Sequence, residues 1–123
     1  KISVSELVER TLSCETGRWI LEAQIDAKAE WALSTVEQGE VRSYVIDRTF
    51  LDDQEGVRWV IDYKTSQPLE GESLDAFCAR ERDAYQGQLQ NYADLVRNMD
   101  WDRDASVKAA IYFPVLQHLS ICE

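Results

Sequence analysis

The chain has 123 residues, 45% of them apolar, which is enough for one hydrophobic core and excludes an intrinsically disordered segment. Thirteen basic against 23 acidic residues leave a net charge of -10, so any polyanion would have to find its basic track on another domain. No run approaches the roughly 20 apolar residues of a membrane span, the start is not a signal peptide, and Cys14, Cys78 and Cys122 lack metal-ligand spacing, which together imply a cytoplasmic protein in a reducing compartment, with no membrane partner and no zinc.

Ser3-Val-Ser-Glu6 has the form of a capping box, and Leu7, Val8 and Leu12 give the apolar stripe of a short helix behind it. Residues 17–24 are expected to form a first extended segment. Residues 30–36 then read as a strand, Gln38-Gly39 as a turn, residues 41–51 as a second strand and residues 57–64 as a third. Residues 68–71 form a loop. A long helix is expected from Ser73 to about Asn98, because Leu74, Phe77, Cys78, Tyr85, Leu89, Tyr92 and Val96 recur at helical spacing. After a polar connection at residues 100–104, residues 107–113 form a strand that Pro114 ends, and residues 118–122 form a weaker last one.

Asp53-Gln-Glu-Gly56 closes the second and third strands into a hairpin whose register sets position 47 opposite 62, and 45 opposite 64. Asp47 and Asp62 then share one face of a sheet. Like charges directly opposite on neighbouring strands are destabilising. A divalent cation between them turns that cost into a binding site, since Mg²⁺ takes oxygen ligands, usually one or two carboxylates plus substrate phosphate. Lys64 follows Asp62 by two residues, so the strand period points its ammonium to the same face. Plainer readings exist for each feature. Asp62 and Lys64 could form an ordinary surface ion pair, which contributes little to stability. Gln88 and Tyr92 could be a helix face with the Tyr92 ring in the core. His118 and the cysteines read as structural, and Trp19, Trp31, Trp59 and Trp101 as core or rim residues, because no basic residues interleave with them for base stacking.

A strand with Ile-Asp47, a hairpin, Ile-Asp62-Tyr-Lys64-Thr and a helix bearing Gln88-Leu-Gln-Asn-Tyr92 together resemble the nuclease domain of the RecB family, within the PD-(D/E)xK nuclease superfamily. The likeness covers roughly residues 30–113. It is greatest to the nuclease domain at the C-terminal end of bacterial UvrD-like helicase-nucleases. It implies an α/β fold with a restriction-endonuclease-like core, a mixed β-sheet with flanking helices, in a single nuclease-like domain spanning residues 1–123. It also implies a metal-dependent deoxyribonuclease, an exonuclease acting in DNA double-strand-break repair and recombination in the bacterial cytoplasm. Asp47 and Asp62 match the acids that hold Mg²⁺, for which Mn²⁺ can substitute, and the backbone carbonyl of Tyr63 matches a further ligand. Lys64 matches the catalytic lysine. Gln88 and Tyr92 match a helix motif beside the active site that assists substrate or lysine positioning, and Glu30 an acid at the start of the first core strand in some relatives. The implied partners are DNA, helicase domains of the same polypeptide and a second helicase-nuclease subunit, with ATP entering only through a helicase domain outside this chain.

One family feature has no counterpart. RecB-type nucleases carry a histidine metal ligand on a helix upstream of the Ile-Asp strand, and the only histidine here, His118, falls in the last predicted strand. The chain starts at Lys1 without a methionine, as a piece of a longer protein would. The expectation is therefore a weak metal site and slow cleavage by this chain alone. Two other readings stand beside it. One is a catalytically impaired nuclease fold that guides DNA or docks a subunit, against which the retention of Asp47, Asp62 and Lys64 speaks. The other is an unrelated α/β binding domain in which the carboxylates serve only local polar pairing.

Overall fold

The computed structural model describes residues 3–23, 25–99 and 106–122. In chain order the elements are α1 (Val4–Leu12), α2 (Glu15–Glu22), β1 (Lys28–Glu37), β2 (Glu40–Asp52), β3 (Val57–Tyr63), α3 (Leu74–Arg97), β4 (Ser106–Phe113) and β5 (His118–Cys122). The strands form one mixed sheet in the order β1-β2-β3-β4-β5. All neighbours are antiparallel except β3 and β4, which run parallel. A parallel pair needs a long crossover, and α3 lies within it.

The sheet is covered on both faces. On one, Phe77, Leu89, Tyr92 and Val96 of α3 pack against Ile46, Val60, Ile111 and Phe113. On the other, Ile20 and Trp19 of α2 pack against Phe50, Trp59, Ile61 and Tyr112, with the Trp19 ring edge-on to Phe50 and Trp59 at 5.0 and 5.4 Å. β3 lies between these layers. Its residues from Val57 to Asp62 are all buried, which is why apolar side chains do not alternate with solvent-facing polar ones along it.

Helix starts follow local chemistry. The Ser3 hydroxyl accepts from the Glu6 N–H at 3.2 Å and the Ser73 hydroxyl from the Ala76 N–H at 3.1 Å, each satisfying a donor that the first helical turn leaves open. The extended segment expected over residues 17–24 is instead helix as far as Glu22. Its stabilising contacts are not local. Gly17 lies so close to α1 that a Cβ there would meet the Thr11 carbonyl oxygen at 2.1 Å. At the other end Arg48 of β2 donates to the carbonyls of Ile20, Leu21 and Ala23 at 3.0, 3.2 and 2.8 Å, supplying the C-terminal cation that α2 itself lacks. The polar connection expected at residues 100–104, and Trp101 with it, lies outside the described residues. Among the described residues no helix is long and apolar enough to cross a membrane.

Candidate active site

The β2–β3 ladder runs from Asp52 opposite Val57 to Arg48 opposite Ile61. One more step of that register sets Asp47 against Asp62, but the backbone pairing stops there. Instead Asp47 Oδ2 accepts the Tyr63 N–H at 2.9 Å, so a carboxylate takes the place of a main-chain carbonyl at the end of β3. β2 also changes face at this point. Tyr44 and Ile46 pack in the α3 layer while Phe50 packs in the α2 layer, although strict alternation would put all three on one side. Across the β1–β2 ladder, Glu30 is left-handed at φ 48°, and the pairs on either side of it are Ala29 with Arg48 and Trp31 with Ile46. A twist of this kind re-aims a side chain beside a site.

The expected pairing of position 45 with 64 does not form. Val45 pairs with Ala32 of β1 and is exposed, whereas the Lys64 N–H donates to the Tyr112 carbonyl of β4 at 3.1 Å. β2 has left β3 by then, and only β4, its parallel neighbour along the whole strand, continues alongside. The two-residue step from Asp62 to Lys64 nevertheless brings their side chains together, with Lys64 Nζ 3.1 Å from Asp62 Oδ2.

Asp62 is 5% exposed, and its carboxyl lies within hydrogen-bonding reach of Asp47. Burial, then the hydrogen bond and negative charge of Asp47, push its pKa up to about 6, against the opposing pull of Lys64. Burial alone would lower the Lys64 ammonium, but the charge and hydrogen bond of Asp62, with smaller help from Tyr85 and Asp47, raise it instead. The contact of Asp62 Oδ2 with Lys64 Nζ is a close charge pair at 3.1 Å. Burial pushes the Tyr63 hydroxyl up to about 12.

α3 closes the site from one side. Gln88 is exposed and donates through Nε2 to the Tyr92 hydroxyl at 2.8 Å. Tyr92 is buried, its ring edge-on to Tyr44 at 6.1 Å, and its hydroxyl feels the charges of Asp62, Asp47 and Lys64. Tyr92 is thus both a core residue and a neighbour of the acids. From the same helix Tyr85 presents its ring face to Lys64 Nζ at 4.0 Å. From the sequence Tyr85 was one aromatic of an apolar stripe. Its spacing of three from Gln88 and seven from Tyr92, which puts all three on one helix face, is the signal that marks it. Glu30 is exposed, and His118 pairs with Phe113 at the start of β5.

Two adjoining carboxylates beside a fixed ammonium can hold a hard divalent cation and place a positive charge next to whatever that cation binds. Among the described residues no cluster of three or more histidine, cysteine or acidic side chains gathers. The candidate protein donors are Asp47 and Asp62, with the chain at Tyr63 between Asp62 and Lys64. Neither the protein-family models nor the curated proteins compared with this chain match it.

Proposed function

We propose that the chain is a metal-dependent phosphodiesterase domain acting on DNA, of the PD-(D/E)xK, RecB-like kind, working beside a helicase motor. The observation that carries the reading is the buried Asp62 carboxylate held against both Asp47 and Lys64 at the end of β3. A sequence selected only for stability would avoid such a pair of acids, since it raises the pKa of one of them toward neutrality. The donor set fits Mg²⁺, which takes one or two carboxylates and completes its shell with water and substrate phosphate. Asp47 and Asp62 would hold it, and the cation would supply Lewis acidity and a lowered water pKa.

The chain's own groups have separate tasks. The Tyr63 N–H fixes the orientation of Asp47 at 2.9 Å. Lys64, a quarter exposed and anchored at Asp62, offsets the negative charge that develops on a phosphate during attack. Gln88 and Tyr92, joined at 2.8 Å on α3 beside the acids, would help to position the substrate.

Calorimetric titration with Mn²⁺ separates this reading from an α/β binding domain with incidental acids. The expected result is one weak site in the wild-type chain that disappears in Asp62→Asn. Equal heats from the two proteins would remove the metal from the account.

A further inference from the structure

Lys64 has two neighbours that fix its ammonium, and they are of different kinds. Asp62 attracts it at 3.1 Å through opposite charge, an attraction that weakens when the carboxylate is shared with another cation. Tyr85 presents a ring face at 4.0 Å, well inside the range of about 6 Å over which a cation is drawn to an aromatic quadrupole. The ring is carried by a helix anchored through Leu89, 1% exposed, and Phe77, fully buried, so its position is set by the core. Lys64 is only 23% exposed, and partial desolvation strengthens a contact of this type.

We propose that Tyr85 is a positioning residue for Lys64, holding the ammonium in place by cation–π contact independently of the charge on Asp62. The catalytic consequence rests on the nuclease reading; the restraint itself does not. A divalent cation shared by Asp47 and Asp62 competes with Lys64 for the Asp62 carboxylate, and the Tyr85 ring is the neighbour whose attraction such competition leaves unchanged. The ammonium then stays beside the acids instead of relaxing into solvent, as a long lysine stem otherwise does.

Two variants test this. Tyr85→Phe keeps the ring face and removes the hydroxyl, whereas Tyr85→Leu keeps apolar bulk and removes the ring. The first readout is the NMR signal of the Lys64 ε-methylene, identified by its loss in Lys64→Met, in metal-free chain. A proton over a ring face is shifted upfield. The signal should lie upfield in wild type and in Tyr85→Phe and return to the ordinary lysine position in Tyr85→Leu, with the remaining spectrum dispersed as in wild type. An unmoved signal in Tyr85→Leu overturns the restraint. The second readout is Mn²⁺-dependent cleavage of linear DNA. Tyr85→Leu should lower kcat by about three- to thirtyfold, the span of a partly desolvated cation–π contact, with KM within about twofold, and Tyr85→Phe should restore it. Unchanged kcat in Tyr85→Leu overturns the catalytic consequence and leaves the nuclease reading standing. A wild-type chain that cleaves nothing overturns the nuclease reading, while the NMR signal still decides whether Tyr85 fixes the lysine.

Discussion

Asp62 is held in a place that disfavours its own charge. Its pKa of about 6 stands above the ordinary value of 3.8, so the folded chain binds a proton there that the unfolded chain has already released. The stability this protonation contributes is present below about pH 4 and is lost as the pH rises through 6. An asparagine in its place does not ionise. Melting temperatures of wild type and Asp62→Asn in metal-free buffer should therefore diverge in favour of the variant as the pH rises from about 4 to about 7, and run parallel above that. A gap that narrows with rising pH would show that Lys64 outweighs burial and Asp47. At this scale the sequence was partly legible. The adjacency of Asp62 and Lys64 follows from a period of two, and Asp47 from the hairpin register. The role of Tyr85 was hidden because an aromatic at helical spacing looks the same whether it fills a core or carries a cation.

At the scale of elements, α3 and the five strands were legible because their signals are local: the Ser73 cap, the heptad-like stripe ending at Val96, the Gln38-Gly39 and Asp53–Gly56 turns, and Pro114. α2 was not, and the reason is physical. It has no side-chain cap at its start, and its final carbonyls are satisfied by Arg48, 25 to 28 residues further along. No window on the helix alone contains that information. The α1–α2 contact makes a matching prediction. At Gly17 an added methyl would collide with the backbone of Thr11, so Gly17→Ala should cost about 1–3 kcal/mol. Gly87, in α3 with open space around the same methyl, should gain about 0.5–1 kcal/mol on substitution by alanine. Urea midpoints check both, and equal shifts in one direction would show that the helix pair is not packed as described.

Across the whole molecule, the site lies where the carboxyl end of β3 emerges from a sheet covered on both faces. In open α/β sheets that end is where ligands bind, because strands stop there and loops leave groups free to converge. Asp47 arrives from β2, Asp62 from β3 and Lys64 from just past its end, and Tyr85, Gln88 and Tyr92 from the crossover helix, so the site exists only when three elements are assembled. The net charge of -10 opposes a DNA backbone, and affinity for DNA through this chain alone should be weak. The central claim is that Asp47, Asp62 and Lys64 form a metal-dependent phosphodiesterase site. It is tested most directly by incubating the chain with linear duplex and single-stranded DNA in Mg²⁺ or Mn²⁺, alongside Asp62→Ala and Lys64→Ala. Slow cleavage that requires the metal and is abolished in both variants is the expected result; cleavage that survives Asp62→Ala, or none from the wild-type chain in either metal, would contradict it.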